Sequence, residues 1–360
     1  MNNLTVRSSQ GPYTVRFDHP FAGLEDGLAE RAHLLIDARV ADLYGGALAK
    51  ALAAPSVLRI EATERSKSFE QFPAYMTHLL DHGVRREHTL VAVGGGVIQD
   101  ITAFLAATLL RGLPWRFYPT TLLAQADSCI GSKSSVNVDR YKNQVGTFTP
   151  PRDVVISTEV LATLDEVAVR SGLGEMIKVH LIAGWEQTRA IARDYAKIFQ
   201  DSQLMAHYIH RSLEIKRVKV EADEFDLGER LVMNYGHTFG HAIESATEYA
   251  IPHGIAVSLG MDMANQLSRR FGFISEEVEE ELHALLRLNY AGFDRVPVPE
   301  EPFFAALSKD KKRAGPDVAL ILMRGPGEVF HARYPFDGAL RQMIQETLQS
   351  VAHPAEADVW

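Results

Sequence analysis

Cysteine is nearly absent from this sequence, since Cys129 is the single example among 360 residues. One thiol cannot build an internal disulfide framework, so disulfide-rich secreted scaffolds are excluded and a reducing, cytoplasmic location is expected. Apolar runs of membrane-spanning length are also missing, and residues 1–7 lack the apolar segment of a signal peptide. We therefore expect no membrane partner.

Basic residues are outnumbered, with 37 Lys and Arg against 46 Asp and Glu, for a net charge of −9. This balance disfavours a nucleic-acid partner or an anionic membrane surface. An anionic small substrate must then be held by a local cluster of Lys and Arg. A chain of 360 residues exceeds the size of one small core and predicts two domains.

The first half of the chain alternates between strand and helix patterns. This order predicts an α/β domain with a mostly parallel sheet over residues 1–160. The predicted strands are 4–7 and 13–17 (a hairpin or a pair of edge strands), 33–36, 57–61, 90–93, 115–118 and 154–156. The predicted helices are 40–53, 64–82 and 101–110.

The second half has mainly helical periodicity, which predicts a helical domain over residues 161–360. The predicted helices are 166–183, 185–200, 203–222, 230–249, 255–271, 276–287 and 303–309. Two segments with strand character, 318–323 and 328–331, are the exceptions.

Three consecutive glycines follow the predicted strand 90–93. Gly94, Gly95 and Gly96 precede a helical segment, and such a turn lets the backbone and the helix N-terminus approach a phosphate. A plain strand-to-helix turn is the alternative, because the spacing is not that of the dinucleotide fingerprint. Asp37 ends another strand and is a candidate ribose partner or a helix N-cap.

Polar residues also follow the strand 115–118. Such groups, separated by glycines, are typical of a site at the carboxyl edge of an α/β sheet. The alternative is a solvated loop, which does not account for the scarcity of acidic residues after Asp127. The residues are Thr120, Thr121, Asp127, Lys133, Lys142 and Asn143.

Histidines in the helical half have the spacing of metal ligands. His237 and His241 stand four residues apart on one predicted helix, and His253 precedes another. Glu175, either His237 or His241, and His253 would form a two-histidine, one-carboxylate site with an open position, as catalytic zinc prefers. A core or capping role is the alternative for each histidine.

Basic residues from many segments could converge on an anionic substrate. Converging lysines and an arginine would bind a phosphate and a second anion, whereas a scatter of surface cations is the alternative. The candidates are Lys133, Lys142, Lys178, Lys216, Arg230, Lys311 and Lys312.

Taken in order, these motifs resemble the 3-dehydroquinate synthases, within the wider group of sugar phosphate cyclases. The resemblance extends from Asp37 to Lys312. It rests on Gly94-Gly-Gly-Val-Ile-Gln-Asp100, Arg111-Gly, Pro119-Thr-Thr-Leu-Leu, Asp127-Ser-Cys-Ile-Gly-Ser-Lys133, Lys142-Asn143, Gly174-Glu-Met-Ile-Lys178, Gly236-His-Thr-Phe-Gly-His-Ala-Ile-Glu244, His253-Gly and Asp310-Lys-Lys312.

The resemblance implies a dehydroquinate synthase-like fold. Its parts are a Rossmann-like NAD-binding domain and a helical metal-binding domain, with the active site between them, in a homodimer. It also implies that Glu175, His237 and His253 bind zinc or cobalt, whereas His241 contacts substrate. The implied NAD-binding residues are Asp37, Glu64, Lys67, Gly94, Gly95, Gly96, Asp100, Thr120, Thr121, Lys142 and Thr163. The implied substrate residues are Asp127, Lys133, Asn143, Lys178, Lys216, Arg230, Asn234, His241, Lys311 and Lys312, with Arg111 reaching the neighbouring subunit's site.

The implied reaction converts 3-deoxy-D-arabino-heptulosonate 7-phosphate, a phosphorylated keto-sugar acid, into 3-dehydroquinate. It proceeds by transient oxidation with NAD, phosphate elimination, re-reduction and aldol closure. Lys133, Asn143 and Lys216 would recognise the substrate carboxylate. The sequence departs from the family pattern at Gln99, Ser132 and Ile255, which leaves a cyclase acting on another phosphorylated sugar as the alternative. A polyol dehydrogenase is a further alternative.

Overall fold

A computed structural model describes residues 2–25, 31–139, 141–314 and 317–352, with the backbone alone for residues 309–314. The chain forms two units. One contains the chain up to Leu164 together with Met205–Phe225, and the other contains Asp165–Leu204 and the chain from Asp226 onward. The predicted functional domains, 1–160 and 161–360, stay a prediction. The units differ from them because residues 205–225 belong with the first unit.

The first unit is organised around a seven-stranded sheet. Its strand order is β1-β2-β9-β6-β5-β3-β4, and every neighbouring pair is parallel except β1 and β2. The predicted mostly parallel sheet is therefore confirmed. The strands of this unit are β1 (Leu4–Val6), β2 (Tyr13–Phe17), β3 (Ala32–Asp37), β4 (Leu58–Ile60), β5 (Thr89–Gly94), β6 (Trp115–Pro119), β7 (Val136–Val138), β8 (Tyr141–Val145) and β9 (Asp153–Ile156). Sequence analysis missed the antiparallel β7–β8 ribbon.

The direction of the chain across the sheet changes at β3. From β3 the chain goes to β4 at the edge, and it then returns to β5 on the other side of β3. Ligands of open α/β sheets bind in the crevice at the carboxyl ends of strands that flank such a point. Asp37 and Gly94 end these two strands, and a Cβ atom added to Gly94 would lie 3.3 Å from that of Asp37.

The helices of the first unit correct two predictions. Residues 40–53 form two short helices, α1 (Ala38–Leu43) and α2 (Ala49–Leu52), separated by Gly45 and Gly46. Helix α3 spans only Phe72–Asp81, after a 3-10 turn at Phe69–Gln71. The segment 64–68 is not helical because Asn137 N donates to the carbonyl oxygen of Lys67 at 3.0 Å, and Ser68 forms a parallel bridge with Asn137. Helix α4 spans Gly96–Thr108.

The second unit is mainly helical, as predicted. None of the described helices is long and apolar enough to span a bilayer. The remaining helices of the chain are α5 (Glu166–Ala183), α6 (Trp185–Ile198), α7 (Ser202–Ala222, in the first unit from Met205), α8 (His237–Ala246), α9 (His253–Arg270), α10 (Glu276–Tyr290), α11 (Glu300–Ala314) and α12 (Gly338–Ala352). Strands β10 (Asp317–Met323) and β11 (Val329–Pro335) pair antiparallel.

The predicted helix 230–249 is wrong, because the chain turns sharply within it. A 3-10 turn covers Glu229–Asn234, and α8 begins at His237. Gly236 separates them with φ +80°, a left-handed conformation that glycine adopts without a Cβ penalty. The break places His237 in the first turn of α8. Sequence analysis did not predict α12.

Helix α9 is the centre of the second unit, since every residue from Gly254 to Ser268 is buried. It packs against α5 and α8 through glycines at near backbone contact. A Cβ atom added to Gly254 would lie 1.7 Å from the carbonyl oxygen of Ser171 on α5, and one added to Gly260 would lie 2.1 Å from the carbonyl oxygen of Gly236. These contacts require glycine and set how closely the three helices approach.

We predict that Gly254→Ala lowers the free energy of unfolding by about 3 kcal/mol, because the new methyl group forces α5 and α9 apart. Urea unfolding measures the change. Gly338→Ala is the matched control, since open space surrounds Gly338 in the first turn of α12, and it should change stability by less than about 1 kcal/mol. An unchanged urea midpoint for Gly254→Ala would contradict the close-packing argument.

Candidate metal centre and cofactor crevice

Three side chains from three helices converge in the second unit. Glu175 Oε1, on α5, lies 3.1 Å from His253 Nε2 and 3.5 Å from His237 Nε2. With metal–ligand bonds of about 2.0–2.1 Å, ligand atoms of a tetrahedral zinc site lie roughly 3.3 Å apart. The spacing of these atoms and the chemistry of the donors fit a divalent cation with one carboxylate and two imidazole ligands.

Glu175 is also bound to Lys178, one turn along the same helix. Lys178 Nζ donates to Glu175 Oε2, which leaves Oε1 facing the two imidazoles. Burial raises the pKa of Glu175, but Lys178, His237 and His253 outweigh burial and hold the pKa well below its usual range. Glu175 is therefore an anion, the form that binds a cation.

The two imidazoles differ in their protonation. Burial and Lys178 keep the pKa of His237 well below its usual value, in spite of Glu175. Burial also lowers the pKa of His253, but hydrogen bonds to Glu175 and Glu244 outweigh it and raise the pKa to about 10. His237 is thus neutral without a cation, whereas cation binding at His253 must displace a proton.

His241 adjoins the same cluster. One potential ligand atom from each of His237, His241 and His253 lies within 4.8 Å of the others, and the rings of His241 and His253 are stacked at 5.6 Å. The sequence alternatives, His237 or His241, are therefore both near the site. Glu175 contacts His237 and His253, which favours these two as its partners in a ligand set.

The functional role of Glu244 was not predicted from the sequence. Glu244 Oε2 lies 2.9 Å from His253 Nδ1, on the ring edge opposite the nitrogen that faces Glu175. Metal-binding histidines commonly donate their second N–H to a carboxylate, which fixes ring orientation and basicity. The sequence contained a signal for this role, because Glu244 lies three residues after His241 and therefore almost one helical turn further along the same helix. Spacing alone, however, did not show which residue Glu244 contacts.

The other predicted residues of the second unit lie in the 3-10 turn before α8 and in α11. Arg230 is buried and Asn234 half-buried in the 3-10 turn that precedes His237. Lys311 and Lys312 lie in α11, and their side chains are outside the described part of the structure. Of the predicted substrate lysines, Lys178 is the one whose contact with the cluster is described.

In the first unit, a set of predicted cofactor residues lies at the carboxyl ends of β3, β5 and β6. Asp37 Oδ1 accepts a hydrogen bond from Arg39 N at 2.9 Å, so Asp37 is the N-cap of α1, and its predicted role as a ribose partner stays a prediction. Thr120 N donates to the carbonyl oxygen of Gly94 at 2.9 Å. A Cβ atom added to Gly95 would lie 2.9 Å from Thr121 Cγ2. Gly94 and Gly95 are therefore in close contact with the residues that follow β6.

The N-terminus of α4 lies at the same edge of the sheet, directly after β5. Within the described residues, no side chain caps α4, and a Cβ atom added to Gly96 would meet no atom within 4 Å. Uncapped N–H groups with open space beside them are suited to a phosphate oxygen. The start of α4 thus offers a dinucleotide phosphate both open space and N–H donors.

Lys67, which is itself buried, is the centre of a polar network that includes Asp100 of α4. Its Nζ lies 2.9 Å from Asp100 Oδ2, 3.0 Å from Asn143 Oδ1 and 3.5 Å from Glu64 Oε1. Burial lowers the pKa of Lys67, but Asp100 and Glu64 outweigh it and raise the pKa above its usual value. Lys67 is therefore a fixed cation that joins three predicted site residues.

Residues that sequence analysis missed complete this network. Asn137 Nδ2 donates to Glu64 Oε2 at 2.9 Å, its Oδ1 accepts from Asn143 N at 2.9 Å, and Ser135 N donates to Asp100 Oδ1 at 3.0 Å. They belong to the β7–β8 ribbon and its approach, which the sequence pattern did not reveal. The ribbon therefore fixes Asn143.

Lys216 and Asp127 form a second pair in this unit. Lys216 Nζ lies 2.9 Å from Asp127 Oδ1 and 2.7 Å from the Asp127 carbonyl oxygen, and Lys216 is only 6% exposed. The structure thus joins two predicted substrate residues that are 89 positions apart in sequence.

Four further predicted residues of the first unit are Lys133, Arg111, Thr163 and Lys142. Lys133 and Arg111 are exposed, and Arg111 has φ +68°. Thr163 Oγ1 donates to the carbonyl oxygen of Val160 at 3.0 Å. Lys142 Nζ lies 3.8 Å from Glu64 Oε2, at the margin of the Lys67 network.

Comparisons with known proteins identify relatives of both halves of the chain. A family model described as 3-dehydroquinate synthase N-terminal matches residues 57–171, and one described as 3-dehydroquinate synthase C-terminal matches residues 172–313. A 3-dehydroquinate synthase of Enterococcus faecalis is 36% identical over 307 residues, which cover 83% of this chain and 85% of the relative. That of Halorhodospira halophila is 38% identical over 307 residues, covering 84% and 86%.

Solved structures with the same fold include two cyclases. The 2-epi-5-epi-valiolone synthase from Streptomyces hygroscopicus subsp. jinggangensis, with NAD+ and Zn2+ bound, aligns with a TM-score of 0.81 at 27% identity, covering 94% of this chain and 96% of that one. A 2-deoxy-scyllo-inosose synthase complexed with carbaglucose-6-phosphate, NAD+ and Co2+ aligns with a TM-score of 0.85 at 24% identity, covering 96% and 100%. The second similarity shows the fold alone.

We predict that Glu244→Ala weakens Zn2+ binding by roughly 10–100-fold, because the His253 ring loses the carboxylate that orients it. Competition with a chelator of known affinity measures the change. Glu280→Ala, at an exposed glutamate on α10 of the same unit, is the matched control and should leave the affinity unchanged. Equal affinities for the two variants would contradict the orienting role.

Proposed function

The chain belongs to the 3-dehydroquinate synthase family, and we infer from this membership that it is an NAD- and metal-dependent carbon–oxygen lyase. It converts 3-deoxy-D-arabino-heptulosonate 7-phosphate into 3-dehydroquinate and phosphate. The observation that carries this conclusion is the cluster of Glu175, His237 and His253. It lies within a chain that matches the family over residues 57–313.

We propose that Glu175, His237 and His253 hold Zn2+ or Co2+, with Glu244 orienting His253. When bound, the cation would polarise a substrate hydroxyl, and NAD would accept and return a hydride. The protein's own contribution is to hold the reacting groups in place. Lys178 Nζ donates to Glu175 Oε2 and supports this role, because it leaves the other carboxylate oxygen for the cation.

We propose that NAD lies in the crevice of the first unit, with its phosphates at Gly94–Gly96 and the α4 N-terminus and its ribose near Asp37. The uncapped start of α4 and the strand-end position of Asp37 support this placement. Further proposed NAD contacts are Glu64, Lys67, Asp100, Thr120, Thr121, Lys142 and Thr163.

We propose that the anionic substrate is held by cationic and amide side chains. Lys133, Asn143 and Lys216 would recognise its carboxylate, and the departing phosphate would itself take the proton released during elimination. The buried Lys216–Asp127 pair supports this assignment, because it holds an ammonium group in one position. The other proposed substrate residues are Asp127, Lys178, Arg230, Asn234, His241, Lys311 and Lys312.

We also propose that the protein is a cytoplasmic homodimer, in which Arg111 reaches the site of the neighbouring subunit. The exposure of Arg111 supports an intermolecular role, and a single cysteine suits a reducing compartment.

A second candidate function is the closure of another phosphorylated sugar, such as sedoheptulose 7-phosphate, to a cyclitol. The structural similarity to a valiolone synthase at 27% identity favours this candidate. The family membership and the identity of 36–38% to 3-dehydroquinate synthases favour the carboxylated substrate.

We predict that the zinc-loaded protein with catalytic NAD releases phosphate from 3-deoxy-D-arabino-heptulosonate 7-phosphate and forms 3-dehydroquinate, without net NADH. Phosphate release and absorbance at the NADH band are recorded together for this substrate, sedoheptulose 7-phosphate and glucose 6-phosphate. Phosphate release from an uncarboxylated sugar alone would establish the second candidate. Steady accumulation of NADH would instead indicate a dehydrogenase.

A further inference from the structure

The turn that carries Asp127 is irregular. Residues Ala124–Ser128 form a π-helix, in which Cys129 N donates to the carbonyl oxygen of Ala124 at 3.0 Å. Single π turns are rare and frequent at functional sites. Their geometry is maintained by specific local contacts, so the groups that bind this turn decide where Asp127 lies.

Gln99 binds Ser128, the last residue of this turn, through both the nitrogen and the oxygen of its side-chain amide. Gln99 Nε2 donates to the Ser128 carbonyl oxygen at 2.6 Å, and Ser128 Oγ donates to Gln99 Oε1 at 2.6 Å. Gln99 is only 5% exposed, so water cannot readily replace these bonds. Removing the amide would leave a half-buried carbonyl oxygen and a half-buried hydroxyl group of Ser128 without this partner.

Ser128 is the direct neighbour of Asp127, whose main chain and side chain both contact Lys216. The Lys216 ammonium lies 2.7 Å from the Asp127 carbonyl oxygen and 2.9 Å from its Oδ1. The position of the ammonium group therefore depends on the backbone path through Asp127 and Ser128. Gln99 fixes that path from α4.

Two neighbouring residues in the first turns of α4 thus bind two different segments of the chain. Asp100 accepts from Lys67 Nζ and from Ser135 N, at 2.9 and 3.0 Å, while its neighbour Gln99 binds Ser128. Loss of Gln99 should disturb the Asp127 side and leave the Lys67 side in place. This separation allows the role of Gln99 to be tested.

We propose that Gln99 is a positioning residue that fixes the Ala124–Ser128 turn, so that Asp127 presents the Lys216 ammonium to the carboxylate of the substrate. This inference rests on the proposed function, which assigns Lys216 to that carboxylate. Gln99 thereby sets the affinity for an acidic sugar phosphate and does not touch the substrate itself.

The test uses Gln99→Leu in the full-length protein loaded with zinc and NAD. KM for 3-deoxy-D-arabino-heptulosonate 7-phosphate should rise about tenfold, the effect of losing two ordinary hydrogen bonds, while the dissociation constant of NAD stays within about twofold. In a Lys216→Ala background, Gln99→Leu should raise KM no further, because the two residues act through one contact. The proposal would be overturned if Gln99→Leu raised KM by the same factor in the Lys216→Ala background as in the wild type. It would also be overturned if Gln99→Leu alone left KM unchanged.

Ser128 provides a milder pair of variants. Ser128→Ala removes one of the two hydrogen bonds and should raise KM about threefold, whereas Ser128→Thr keeps the hydroxyl and should restore the wild-type value. Hydrogen exchange at the Cys129 amide should accelerate in Gln99→Leu, which is a readout independent of activity. An unchanged exchange rate of the Cys129 amide in Gln99→Leu would contradict the proposal that Gln99 fixes this turn.

Trp115→Phe is the matched control for general destabilisation. It removes a half-buried hydrogen bond of the same unit, from the buried Trp115 Nε1 to the Thr149 carbonyl oxygen at 3.2 Å, and should leave KM unchanged. If Trp115→Phe raised KM as much as Gln99→Leu does, the effect of Gln99→Leu would be explained by general destabilisation, and the positioning role would be overturned. Wild-type protein that releases no phosphate from the keto acid phosphate would refute the proposed function, whereas an active wild type with an unaffected Gln99→Leu variant would refute the role of Gln99 alone.

Discussion

The close approach of α5, α8 and α9 is the constraint on which the metal centre depends. Gly254 has no room for a Cβ atom because the carbonyl oxygen of Ser171 would lie 1.7 Å away, and Gly260 has none because of the carbonyl oxygen of Gly236. Larger residues at these points would separate the helices by ångströms, which is the scale of a metal–ligand bond. The positions of these glycines therefore set the helix spacing, and the helix spacing sets the distances between the metal ligands.

Both units hold their charged site residues by the same physical means. Glu175 is balanced by Lys178 and the protonated His253, and Lys67 is balanced by Asp100 and Glu64. An isolated buried charge is costly, whereas a buried pair with its hydrogen bonds satisfied is tolerated and rigid. The polar networks therefore give each site a fixed electrostatic environment before any ligand binds, which is the preorganisation that catalysis requires.

The regular parts of the fold were predictable from the sequence because their signals are local. The apolar strand 90–93 and the helix Glu166–Ala183 carry their own periodicity and were confirmed. The break at Gly236 and the extended path at Ser68 were missed, because each depends on a partner distant in sequence. The β7–β8 ribbon was missed for the same reason, since its polar residues are explained by contacts to Glu64, Lys67 and Asp100.

For the site, the sequence supplied the residue types and the motifs that resemble the family, but spacing alone could not choose between His237 and His241. Contacts to Glu175 favour His237 and His253. The most direct measurement is anomalous diffraction at the zinc edge from crystals of the zinc-loaded protein. The account predicts one peak about 2.0–2.2 Å from Glu175 Oε1, His237 Nε2 and His253 Nε2, with Glu244 still on His253 Nδ1. A peak bound by His241 in place of any of these three, or located elsewhere in the chain, would contradict it.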